Sequence, residues 1–359
     1  MKYNSLIALA FVTLLWSSCA KEEKTEETSS ETSTISTETE EITTKESKAL
    51  EVEKVTITVK DLEKSLAFYT TVLPFKELKR YEYSGKILSK LTGLDDEGLS
   101  VQIVELGIGK EIIALQEFQN EGRILEIPED SKSNDLWFQH VAIVVSDMEA
   151  AYARLEKAGV EEVSRGPQTL PEYITAAAGI KAFYFRDPDD HNLEIIYYPE
   201  GKGNPKWQET NGELFLGIDH TAIGIKSTDK STAFYENILG LKTLGHSQNY
   251  GPEQEALNNV DGAKLWISGL GAEKGFGVEF LEYQESENEG RPYPEDSKPT
   301  DLWHWQTRIE VADLQNVYSK LKEANGVIIS SAVVSHNNKK ELMVRDPDGH
   351  ALLLVQEKF

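Results

Sequence analysis

The sequence predicts an α+β chain in which four βαβββ modules form two domains behind a short leader. Two observations point there. First, the body repeats itself. Glu121-Gly122-Arg123, Pro128-Glu129-Asp130-Ser131-Lys132 and Asp135-Leu136-Trp137 recur as Glu289-Gly290-Arg291, Pro294-Glu295-Asp296-Ser297-Lys298 and Asp301-Leu302-Trp303. Ala67-Phe68-Tyr69 recurs as Ala233-Phe234-Tyr235, and Arg186-Asp187-Pro188-Asp189 as Arg345-Asp346-Pro347-Asp348. Second, each half divides again, because a β-rich run followed by a run with helical spacing opens every quarter.

The leader comes first. Lys2 gives a positive start, and Leu6 to Trp16 is an apolar run too short to span a membrane comfortably, so residues 1–18 read as a signal peptide. Ser17-Ser18-Cys19 then resembles the lipobox of bacterial lipoproteins, although Trp16 stands where leucine is usual. Cys19 is the only cysteine of the chain, which excludes an intramolecular disulfide and a thiolate cluster. Lipid on Cys19 would anchor a soluble body to the outer membrane or cell surface. Lys21-Glu22-Glu23 resembles a surface-export signal of some bacterial lipoproteins. Residues 19–48 are rich in Glu, Thr, Ser and Lys, cannot bury enough apolar surface to order themselves, and read as a disordered acidic tether.

The modules follow in order. Val52–Val59 alternates as a strand, and Leu62–Val72 carries helical periodicity behind Asp61, a candidate N-cap. Three short strands follow, ending near Ile112–Phe118. The pattern restarts at Phe138–Val145, with a helix over Met148–Ala158 and a last strand at Leu193–Tyr198. It restarts at Ile218–Ile225, with a helix around Ser231–Leu239 and a strand at Val278–Tyr283. The fourth copy has Gln306–Val311, a helix at Leu314–Ala324 and a last strand at Ala351–Gln356. Asp346-Pro347-Asp348-Gly349 is a tight turn; Asp190 takes the glycine's place in the first copy, tolerable because Asp can adopt positive φ. Residues 49–202 and 215–359 are thus the two expected domains, joined by a linker at 203–214.

Composition narrows the function. Acidic residues outnumber basic ones by 61 to 37, and the formal charge is -24. Such a surface repels phosphate backbones and excludes nucleic acid as the expected partner.

Four such units, with Phe-Tyr on the first helix and Arg-Asp-Pro-Asp before the last strand, resemble the vicinal oxygen chelate superfamily. That superfamily includes glyoxalase I, extradiol dioxygenases and the bleomycin-resistance proteins. The resemblance implies modules paired into cupped sheets, each module giving one metal ligand from its first strand and one from its last, usually His, Glu, His, Glu. Carried over, the positions are Lys54 and Ala114 in module 1, and His140 and Glu194 in module 2. They are His220 and Glu279 in module 3, and Gln306 and Leu353 in module 4. Pairing neighbours (1+2, 3+4) breaks both sets. Pairing 2+3 assembles His140, Glu194, His220 and Glu279, and leaves 1+4 as a degenerate pair. Ligand survival favours the second arrangement; the sequence does not decide the pairing.

Imidazole and carboxylate donors suit one divalent ion of Zn, Ni, Fe or Mn. The expected partner is a small substrate with two vicinal oxygens, and the expected chemistry isomerase, epimerase or lyase, with Glu194, then Glu279, moving the proton. The alternatives are a ligand-binding lipoprotein without turnover and an extradiol-type dioxygenase, the latter disfavoured by a fourth protein ligand. His191, His246, His304, His336 and His350 are expected in turns or on the surface, and Trp137 and Trp303 in the core.

Overall fold

The computed structural model describes residues 46–94, 98–119 and 124–357. The expected signal peptide, Cys19 and the tether up to residue 45 lie outside the described residues. Module 1 comprises β1 (Ala49–Thr58), α1 (Leu62–Thr71), β2 (Lys76–Ser84), α2 (Gly85–Thr92), β3 (Ser100–Ile108) and β4 (Glu111–Gln119). Module 2 comprises β5 (Gln139–Val145), α3 (Met148–Ala158), β6 (Glu161–Glu162), β7 (Gln168–Thr169), β8 (Lys181–Arg186) and β9 (Asn192–Tyr197). Module 3 opens with β10 (Phe215–Ile225). Its first helix, α4, has an α-helical turn, Thr228–Thr232, that widens into a π-helical stretch, Ala233–Leu239. It continues with β11 (Lys242–Tyr250), α5 (Pro252–Asn258), β12 (Lys264–Gly271), β13 (Lys274–Gly275) and β14 (Gly277–Glu285). Module 4 comprises β15 (Trp305–Val311), α6 (Leu314–Glu323), β16 (Val334–His336), β17 (Lys339–Arg345) and β18 (Ala351–Glu357).

Among the described residues the strands form two nine-stranded sheets. One runs β16-β17-β18-β15-β1-β4-β3-β2, with β13 beside β1, and joins modules 4 and 1. The other runs β11-β12-β14-β10-β5-β9-β8-β6, with β7 beside β8, and joins modules 3 and 2. The sequence halves 49–202 and 215–359 are therefore repeats of the chain, while each sheet takes one module from each half. The seams are antiparallel and follow one register: His220 lies opposite Ala142 in β10–β5, and Lys54 opposite Arg308 in β1–β15. Both seams shift register at matching places, between Ile218 and His220 and between Val52 and Lys54. Asp219 and Glu53 are thus extra residues in β-bulges.

The first helix of every module starts the same way. Asp61, Asp147, Ser227 and Asp313 each accept a hydrogen bond from the backbone N–H three residues on. These helices bury their apolar stripes against alternate residues of both sheets, such as Val55, Ile57, Val141, Ile143, Ile223 and Ile309, in one continuous core. The repeated motifs tie modules 1 and 2, and modules 3 and 4, across that core. Tyr69 donates to Asp187 at 3.0 Å, and Tyr235 to Asp346 at 3.2 Å. Asp190 holds φ 67° in the turn, as its substitution for glycine requires.

Trp137 and Trp303 lie in one apolar cluster, ring centroids 6.4 Å apart, each donating to the serine of its own repeat, Ser131 or Ser297. The repeated aspartates grip the opposite half: Asp135 accepts from Arg291 and Asp301 from the N–H of Leu125.

The structure departs from the expected elements in three places. α2 and α5 lie between the second and third strands of modules 1 and 3, where only strands were expected. α4 begins at Thr228, because Ser227 caps it. The ordered body also reaches back into the expected tether: Ser47 is buried, Lys48 pairs with Glu273 at 2.7 Å, and its carbonyl accepts from Ala312.

Candidate metal centre

Strand register gathers the chemistry in the sheet of modules 2 and 3. Along β5 and β10, His140 and His220 face the concave side. Each lies opposite an alanine, Ala222 and Ala142, whose small side chain leaves room beside the ring. The last strands run parallel to them and place Glu194 beside Ala142 and Glu279 beside Ala222. The four residues expected as ligands therefore share one cup.

Their donor atoms converge. One ligand atom each from His140, Glu194 and His220 lies within 4.8 Å of the others. His140 Nε2 is 3.0 Å from Glu194 Oε2, and His220 Nε2 is 3.6 Å from Glu194 Oε2 and 3.6 Å from Glu279 Oε1. None of these contacts is a hydrogen bond, and His140 Nδ1 and Nε2, Glu194 Oε2 and His220 Nε2 are buried without a partner. Buried polar atoms are rarely left so. A divalent cation at their common focus would satisfy one nitrogen of each histidine and the Glu194 oxygen, and two imidazoles with two carboxylates fit such an ion. Electrostatics agrees. Burial opposes charge on His220, but the Glu279, Asp219 and Glu194 carboxylates outweigh it and push its pKa up to about 10. Burial, reinforced by Glu194, raises Glu279 despite the opposing pull of His220.

A further carboxylate stands behind His220. Asp219 Oδ2 is 3.0 Å from His220 Nδ1 and accepts from the Tyr198 hydroxyl at 2.8 Å; its Oδ1 accepts from the indole N–H of Trp207. Burial works against its charge, yet these bonds, led by the one with His220, hold its carboxyl below the usual range. Sequence reading gave Asp219 no role, and its one signal is its place directly before His220. Tyr184, whose ring centroid is 4.8 Å from that of His140, was also missed.

The other cup differs. Lys54, Gln306 and Leu353 line a cavity of about 60 Å³. Lys54 extends from the position matching His220 to Glu105 on β3, while Ala114, opposite Glu105, matches Glu279. The Lys54 ammonium supplies cationic charge where the first cup gathers metal-binding donors. Arg308 adds a second cation, bonded to Glu53, Glu341 (2.9 Å) and Glu357 (3.0 Å).

Of the remaining histidines, His191 and His350 hold their Asp-Pro-Asp turns, each through Nδ1 to the aspartate four residues earlier. Both are buried, however, and so is His304, whose pKa burial drives down to about 3. His336 is tied to Glu341. Only His246 of the five is exposed, so the expected surface placement holds for it alone.

Comparison with known proteins gives a consistent result. The family model described as Glyoxalase/Bleomycin resistance protein/Dioxygenase superfamily matches residues 51–195 and 217–354. Lactoylglutathione lyase of Schizosaccharomyces pombe is 25% identical over 317 residues, 84% of this chain and 95% of the relative. Glyoxalase I of Saccharomyces cerevisiae is 33% identical over 113 residues, 31% of each chain. Among solved structures, glyoxalase I from Zea mays superposes with a TM-score of 0.55 at 19% identity, covering 86% of this chain and 92% of that one. A putative dioxygenase from Bacillus subtilis gives 0.52 at 16% identity, covering 86% of both. At such identities the structures speak for the fold alone. With both halves matched by one family model and four modules paired into two cups, the chain belongs to the Glyoxalase/Bleomycin resistance protein/Dioxygenase superfamily.

Proposed function

We propose that the protein is a divalent-metal-dependent lyase or isomerase of the glyoxalase type, acting on a small substrate with two vicinal oxygens. The observation that carries this reading is the convergence of His140, Glu194 and His220 donor atoms, buried and unpartnered, with Glu279 beside them. These four residues would hold the ion; Zn, Ni, Fe and Mn all suit the donor set. When bound, the metal supplies Lewis acidity toward substrate oxygens. The chain's own part is proton transfer. Glu279, with a side chain 25% exposed against 4% for Glu194, faces the open side of the cup and is the better placed proton carrier. The similarity to lactoylglutathione lyase over most of both chains supports lyase chemistry. We further propose that residues 1–18 are cleaved and that lipid on Cys19 anchors the protein outside the cytoplasm, where the substrate would be met.

Metal content of the purified full chain tests the site. One divalent ion per chain, lost in both His140→Ala and His220→Ala, is expected. A metal-free parent, or variants that keep the ion, would refute it. For the anchor, labelled palmitate enters the wild-type chain and not Cys19→Ser; equal labelling of both rules the anchor out.

A further inference from the structure

Among the described residues, Asp219 is a charged group in contact with His220 that the proposed chemistry leaves unused. Neighbouring residues on a strand point to opposite faces, so side chains 219 and 220 have no reason to meet. They meet here because Asp219 is the extra residue of the β10 bulge, which breaks the alternation and turns its carboxylate toward His220 Nδ1, 3.0 Å away. Asp219 is itself fixed from two other segments, by the Tyr198 hydroxyl at the end of module 2 and by Trp207 of the inter-repeat linker.

We propose that Asp219 is a positioning residue of the metal centre, holding the Nδ1 proton of His220 so that Nε2 is the donor presented to the ion. This rests on the metal-dependent reading above. Two comparisons within the chain support it. His220 Nε2 is buried without a hydrogen bond, equidistant from Glu194 and Glu279, while its other nitrogen is taken by Asp219. His140, on the strand without an extra residue, has Nδ1 buried and unpartnered, so only one of the two imidazoles has a carboxylate at its Nδ1. The matching bulge of β1 places Glu53 in the same relation to the other cup, where it serves the cations Lys54 and Arg308. The bulge thus delivers a carboxylate to the back of a cationic centre in both sheets, and the inter-repeat linker acquires a function through Trp207.

The test is cobalt and zinc affinity by chelator competition on the full chain, with the visible spectrum of the cobalt form. Asp219→Asn keeps the shape and removes the charge. It is expected to weaken binding about 10- to 100-fold and to alter the cobalt ligand-field bands. Trp207→Phe keeps an aromatic ring but removes the N–H together with part of the buried indole; it is expected to weaken binding several-fold and to shift the cobalt bands in the same direction as Asp219→Asn, which lost packing alone would not do. Asp219→Asn with wild-type affinity and an unchanged spectrum overturns the proposal while leaving the metal site standing. If Asp219→Asn does not fold, Trp207→Phe decides, and equal affinity there overturns it. A wild-type chain that takes up no metal refutes the metal-dependent reading and this inference with it.

Discussion

At the scale of the residue, protons would compete with an ion for the donors of the cup. His220 is held near a pKa of about 10 by the Glu279, Asp219 and Glu194 carboxylates against the cost of burial. Its folded value lies above the ordinary imidazole value, so the protonated form is the favoured one through the neutral range. An ion can be bound only after that proton leaves. Metal affinity is therefore expected to rise about tenfold per pH unit from pH 6 to 9, with one proton released per ion bound. Chelator competition across that range, corrected for the chelator's own protonation, measures the slope. Affinity that levels off near pH 7, where an ordinary histidine has finished titrating, would show that the carboxylates do not hold His220 protonated. The four cup residues were legible in the sequence through the family resemblance, which assigns one ligand position to the first strand and one to the last strand of each module, and the repeat let those positions be located four times. Asp219 was not legible. Alternation assigns it to the opposite face from His220, and only the bulge, which depends on pairing with β5 of the other repeat, brings the two together.

At the scale of the element, the first helices and the strands that open and close each module were readable, and the inserted helices were not. The first helices carry an apolar stripe and an N-capping side chain, and Met148–Ala158 begins and ends where its periodicity does. α2 and α5 span only 8 and 7 residues, too few for a period to declare itself. Their hold is tertiary: the Leu91 carbonyl accepts from Ser330, and the Leu257 carbonyl from Ser164, each on the module paired with it in the same sheet. The degenerate cup shows the same limit. That Lys54 and Leu353 are poor ligands is plain from their chemistry. That Lys54 meets Glu105, and Arg308 meets three carboxylates, comes from sheet pairing. Burying such charges is tolerable only because they are matched within the network.

At the scale of the whole molecule, duplication and exchange decide where a complete donor set can form. Odd modules pair with even ones across the halves, 1 with 4 and 3 with 2. His140 and Glu194 come from the first half, His220 and Glu279 from the second, so the cup exists only when both halves contribute. Separated halves could dimerise by the same odd-even rule. A dimer of the first half would then pair Lys54 and Ala114 with His140 and Glu194. A dimer of the second would pair His220 and Glu279 with Gln306 and Leu353. Neither combination holds more than one histidine and one carboxylate at the ligand positions, too few for a firm divalent site. Fragments 46–202 and 203–359, produced apart, are therefore expected to retain no divalent ion through gel filtration, each alone. Co-expressed, they are expected to associate and carry one ion per pair, because the β5–β10 seam restores the full set. Stoichiometric metal on either fragment alone would mean that the site does not depend on the exchange of modules between the halves.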